Sequence, residues 1–159
     1  MRSLDNSPLY TVTLTESEAW EAAITEELLA FNRQYAPAIA VAPPPHPPAP
    51  VHVYALNSVG TLIGGVIGRT HTIRMWLEVR LVWVDAVYRR QGIGHQLMLR
   101  AEQEAQQRDC QYARVATSQY QAPGFYAKSK LGYTTYGTLE NCPPGETVSY
   151  FWKPLGSTI

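Results

Sequence analysis

Met75-Trp76-Leu77-Glu78-Val79-Arg80-Leu81-Val82-Trp83-Val84, followed after four residues by Arg89-Arg90-Gln91-Gly92-Ile93-Gly94-His95, is the stretch that decides the fold. Its first half reads as a long strand. From about Gly92 to Arg108, Ile93, Leu97, Ala101, Glu104 and Ala105 recur about one helical turn apart, with Leu97, Met98, Ala101 and Ala105 giving most of an apolar face. A strand therefore turns into an amphipathic helix through two glycines. Glycine lets such a turn be tight and lets its backbone approach a ligand closely. The first N–H groups of a helix are unpaired and carry the positive end of its dipole, which makes an anion site suited to a pyrophosphate. Arg89 and Arg90 can add charge to it. A Walker loop is excluded because no Gly-Lys-Ser/Thr follows, and the dinucleotide fingerprint lacks its third glycine. Spacing alone leaves two readings, a phosphate loop and a plain strand-to-helix turn.

Upstream, Val51–Leu56 and Thr61–Arg69 flank Asn57-Ser58-Val59-Gly60 and predict a hairpin. Ala42–Pro50 is rich in proline, which lacks a backbone donor, so an extended connector is expected over residues 43–50. A ligand for a proline-binding module or a wall of the substrate cleft is the other reading of that tract. Earlier still, Thr15-Glu16-Ser17-Glu18 offers caps for a helix from Ala19 to about Asn32, and Tyr10–Leu14 alternates like a short first strand. Downstream, strands are expected at Ala113–Ser118, Tyr133–Tyr136 and Ser149–Lys153, with a short helix over Ala122–Lys130. A meander followed by strand–helix–strand–helix–strand needs a sheet that is partly parallel. The expected architecture is one α/β domain, residues 1–159, with a mixed sheet and helices on both faces.

Thirteen basic and thirteen acidic side chains cancel, so nothing points to bulk attraction for nucleic acid or an anionic membrane. No apolar run approaches the roughly 20 residues that span a bilayer, and the start lacks a signal peptide's apolar segment. The cytoplasm is the expected location. Cys110 and Cys142 have no metal-ligand spacing, and the histidines are scattered, so no metal is expected.

Three ordered segments carry a family resemblance: Val84 with Arg89-x-x-Gly92-x-Gly94; Gln121-Ala122-Pro123-Gly124-Phe125-Tyr126; and Lys130-Leu131-Gly132-Tyr133. With Glu102 and Ala105 on the intervening helix, the chain from about Val51 to Leu155 resembles the GCN5-related N-acetyltransferase (GNAT) family. The segment from Phe125 to Tyr133 is two residues longer than the family's usual form, and the N-terminal third carries none of its motifs. The resemblance implies a mostly antiparallel sheet with one splayed parallel pair. It implies acetyl-CoA as donor and direct transfer of an acetyl group to a primary amine, on a small molecule or on a protein. Homodimers occur among such proteins. A chain that binds coenzyme A as a sensor without turnover is the alternative.

The resemblance also implies roles. Backbone groups of Val82, Trp83 and Val84 would hold the pantetheine arm, and Arg89, Arg90, Gln91, Gly92, Ile93, Gly94 and His95 the pyrophosphate. Gln119 stands where relatives have a cofactor-contacting Asn. Tyr126 matches the tyrosine that protonates the departing thiolate, and Glu78, fourteen residues before Gly92, matches a catalytic glutamate of some members. By alternation, Glu78 points away from Val79, Leu81 and Trp83 and toward the same face as Arg80, where an Arg–Glu pair is the other reading.

Overall fold

The structure is a computed structural model that describes residues 10–37, 48–71, 74–127 and 131–156. By contacts the chain divides into two compact units, Met1–Pro43 and Pro44–Ile159. The first holds helix α1 (Glu18–Tyr35), capped by Ser17, whose hydroxyl accepts from the Trp20 N–H at 3.3 Å. Glu18 and Glu21 lie in its first turn and Arg33 in its last, each favourable to the helix dipole. Tyr10–Leu14 forms no strand. Alternation is a local preference, and a strand needs a neighbour to take its backbone hydrogen bonds.

The second unit is a six-stranded sheet in the order β1-β2-β3-β4-β6-β5. Its strands are β1 (Ala49–Leu56), β2 (Leu62–His71), β3 (Trp76–Val84), β4 (Tyr112–Ser118), β5 (Thr134–Glu140) and β6 (Thr147–Pro154). All neighbours are antiparallel except β3 and β4. The proline-rich connector is shorter than expected: Ala49 and Pro50 already belong to β1, opposite Thr70 and Arg69. Because β1 is the outer strand of this order, proline's missing donor is tolerated there. Residues 42–47 of that tract lie outside the described residues. Helix α2 (Ile93–Gln107) lies against β1, β2 and β3 and buries Leu97, Met98, Ala101 and Ala105. Fully burying a side chain such as Leu97 or Met98 contributes roughly 2 kcal/mol. Helix α3 is short, Gly124–Ala127, and residues 128–130 of the expected helix lie outside the described residues.

The core also contains a polar lock. Glu102 of α2 is buried, accepts from the Tyr133 hydroxyl at 2.9 Å and pairs with Lys153 of β6 at 2.6 Å. Lys153 donates as well to the Leu131 carbonyl at 2.7 Å. Burial, with the Glu102 charge beside it, pushes the Tyr133 phenol far above its ordinary range.

Candidate active site

The parallel pair sets the site. β3 and β4 are in register over only four residues each, from Trp76↔Tyr112 to Val79↔Val115. Beyond Val79, β3 remains paired with β2 and β4 remains paired with β6. The two strands therefore part while each stays anchored on its outer side, and their facing backbone edges gain no strand partner. Unpaired strand backbone is an obligatory donor and acceptor set in need of one.

A bulge coincides with the parting. Ile67 of β2 faces Leu81, whereas Gly68 faces Val79, so Arg80 is an extra residue on β3. One extra residue shifts the side-chain alternation by one. Leu77 and Val79 point to the core, and so do Val82 and Val84, while Leu81 and Trp83 are exposed on the other face. The uninterrupted alternation read from sequence is thus corrected at Arg80. Gly68 permits the bulge: a Cβ there would stand 2.7 Å from the Glu78 carbonyl oxygen.

Between the parted strands and α2 lies a cleft of about 740 Å³, lined by Arg80–Val84 of β3 and Val115–Thr117 of β4. One end is closed by Tyr88, Arg89, Arg90 and Gly92–His95, the β4–α3 connection contributes Tyr120, Gln121 and Ala122, and α3 contributes Phe125 and Tyr126. At the loop end Gly92 has φ +83°, the left-handed region, and it offers no side-chain cap. The first helical hydrogen bond runs from the Gln96 N–H to the Gly92 carbonyl at 3.0 Å. The N–H groups of Ile93, Gly94 and His95 precede it and have no intrahelical acceptor. Gly94 lies under the Phe125 ring: a Cβ there would be 3.2 Å from the ring edge. Arg89 braces the turn, its Nε donating to the Val84 carbonyl at 2.9 Å, and Arg90 has φ +64°.

Tyr126 is buried among Phe125, Tyr133 and Phe151, with ring centroids 5.0, 6.0 and 5.8 Å away, and reaches the cleft wall. Its hydroxyl makes no hydrogen bond among the described residues, and burial pushes its pKa up to about 12.

Of the sequence-derived residues, Val82, Trp83, Val84, Arg89, Arg90, Gly92, Ile93, Gly94, His95 and Tyr126 come together on this cleft. Gln91 and Gln119 do not line it. Gln91 donates to the Val87 carbonyl at 3.3 Å. Gln119 opens the turn Gln119–Gln121, whose third residue does line the cleft. Glu78 also stands off the wall. Its Oε2 accepts from Arg69 Nε at 2.8 Å and lies 3.2 Å from His71 Nε2, while Oε1 accepts from Arg114 at 2.6 Å. Burial acts to raise its pKa, but hydrogen bonds from Arg69, His71 and Arg114 outweigh that and hold it at about 2. Its partners are thus on β2 and β4, and Arg80 is not one of them. Asp85 caps the turn Ala86–Tyr88 through the Val87 N–H at 2.9 Å, and Glu140 is exposed on β5. Cys110 is buried, which pushes its thiol up to about 11 and leaves little nucleophilic thiolate at neutral pH.

Sequence reasoning read Arg80 only as the partner in an Arg–Glu pair with Glu78, and assigned no role to Thr117 or Tyr120. A signal for the bulge existed: after Arg80 every residue through Val84 is apolar, so period-two patterning stops where the strand changes phase.

Comparison with known proteins gives the same picture. The family model described as Acetyltransferase (GNAT) family matches residues 11–133. The chain is 40% identical over 103 residues to the blasticidin-S acetyltransferase of Streptomyces morookaense, an alignment that takes in 64% of this chain and 73% of that one. A crystal structure of an acetyltransferase from Bacillus cereus ATCC 14579 superposes with a TM-score of 0.67 at 25% identity, covering 91% of this chain and 97% of that one. A Bacillus anthracis str. Ames structure, described as a streptothricin acetyltransferase in complex with acetyl coenzyme A, shares the fold at a TM-score of 0.59 and 21% identity, over 69% of this chain and 64% of that one. The splayed parallel pair, the open helix start and these likenesses together mean that the chain belongs to the GNAT acetyltransferase family and is an acyl-CoA-dependent N-acyltransferase.

Proposed function

We propose that the cleft takes acetyl-CoA as donor and passes its acetyl group directly to a primary amine that enters from the other side of the parted strands. The observation that carries this is the unpaired edge of β3 beyond Val79, which ends at an open helix N-terminus. An extended pantetheine arm would complete the Val82–Val84 edge by adding like a strand, and a pyrophosphate would meet the Ile93, Gly94 and His95 N–H groups. Arg90 adds charge at that end, and Arg89 and Gln91 hold the turn's shape. The acetyl-CoA bound by the Bacillus anthracis neighbour supports the same donor.

The donor supplies an activated acyl group as a thioester. The protein's part is to orient, to desolvate and to handle one proton. Tyr126 is the group proposed for the departing sulfur. With its phenol at about 12 it stays protonated throughout the neutral range and acts first as a hydrogen-bond donor. It can release its proton to sulfur as it gains the one lost by the amine, so no net charge stays on the phenol. Glu78, fully engaged by three basic side chains, is assigned a bracing role at the foot of the cleft. The proposed acceptors are amines on small molecules or proteins, and the proposed location is the cytoplasm. No helix of the described residues is long and apolar enough to cross a membrane.

Calorimetric titration with acetyl-CoA, repeated on Gly92→Trp, tests the donor site. Binding in the micromolar range that disappears in a folded Gly92→Trp variant is the expected result. Absence of binding by the folded wild-type protein would overturn the reading.

A further inference from the structure

The proposed function leaves one charged group in the cleft without a task. Arg80, the residue that the β3 bulge inserts, lines the cleft at the end where the strands begin to part. It is exposed, and among the described residues its guanidinium makes no hydrogen bond and no ion pair. The loop is remote from it: four strand steps to Val84 span roughly 13 Å at about 3.3 Å per residue, with the Asp85–Arg89 turn still to follow. The pyrophosphate end therefore has its own donors and its own arginine. The nearest carboxylate along the strand, Glu78, is saturated by Arg69, His71 and Arg114. Among the described residues that line the cleft there is no Asp or Glu at all.

We infer that Arg80 selects acceptor amines that carry a carboxylate, and that it binds that carboxylate beside the reacting end of the cleft. This rests on the acyltransferase reading. A guanidinium presents a planar fork of donors that matches a carboxylate in two parallel hydrogen bonds. An acceptor that brought only positive charge would meet Arg80 with no acidic wall to offset the repulsion. A carboxylate-bearing amine neutralises Arg80 on binding.

The test measures thiol release from acetyl-CoA with a panel of L-amino acids and their matched carboxamides, for the wild type, Arg80→Gln and Arg80→Lys. The expected result is that kcat/KM favours the carboxylate-bearing member of a pair by about tenfold or more in the wild type. Arg80→Gln should abolish that preference, Arg80→Lys should keep part of it, and the KM for acetyl-CoA should stay within about twofold in both. Equal or faster turnover of the carboxamides would overturn the inference. So would turnover of no carboxylate-bearing member by a protein that binds acetyl-CoA, or an Arg80→Gln effect confined to the KM for acetyl-CoA. Failure to bind acetyl-CoA overturns the proposed function instead, which separates the two claims.

Discussion

Glu78→Gln separates a catalytic carboxylate from a structural one. The substitution keeps the side chain's shape and removes its charge from between Arg69, His71 and Arg114. The native carboxyl is held at about 2 against an ordinary 4.5, and about 2.5 pH units at roughly 1.4 kcal/mol each is about 3.5 kcal/mol. Solvent still reaches 21% of this side chain, so screening trims the expected loss to about 2 kcal/mol. Because the folded-state pKa is the lower one, this stability is present above pH 4.5 and is lost as pH falls from there toward 2. Urea unfolding of both proteins between pH 7 and pH 3 is the assay. The variant should be weaker by about 2 kcal/mol at pH 7, and the gap should close through the acid range. Its kcat should change by less than about threefold, whereas loss of a general base costs about 10²–10⁴. A kcat collapse in that range with unchanged stability would refute the bracing role and return Glu78 to the chemistry.

Further outcomes are expected at three places in the fold. Tyr126→Phe should lower kcat by about 10–100-fold with little change in the KM for acetyl-CoA, and the wild-type rate should show no falling limb near pH 10 from this phenol, which is pushed up to about 12; steady-state kinetics against pH checks both. Gly94→Ala places a methyl 3.2 Å from Phe125, so the ring must yield and the KM for acetyl-CoA should rise several-fold, while Gly92→Ala should cost about 1 kcal/mol through its φ of +83°. Removing one partner of the buried Glu102–Lys153 pair, as in Lys153→Met, should cost about 3 kcal/mol in denaturant melts, and Tyr133→Phe about 1 kcal/mol.

Much of this was legible in the chain. The strand-to-helix turn at Gly92 and the hairpin around Asn57–Gly60 follow from local chemistry, and both appear within a few residues of the expected bounds. The loop end of the site was legible for the same reason, since glycine spacing and helix-end physics act over a handful of residues. What sequence did not yield is non-local. Tyr10–Leu14 has a strand's alternation but gains no neighbour, and nothing in Glu78 itself announces that residues nine before and thirty-six after will clamp it. The bulge at Arg80 depends on how β2 and β3 register, with Gly68 opposite, and so the far end of the cleft could not be read from β3 alone.

That bulge has a consequence for how the chain tolerates change. β3 behaves as two short strands in opposite phase, Trp76–Val79 fastened on both edges and Leu81–Val84 fastened on one. Deleting residue 80 would not merely shorten the strand. It would set Leu81 directly after Val79 and opposite Ile67, erasing the bulge while Leu81 and Trp83 stay outward and Val82 and Val84 stay inward. Substitutions before the junction should then register in melting curves, and substitutions after it in kinetics. A scanning library through β3 would split into two classes at one peptide bond.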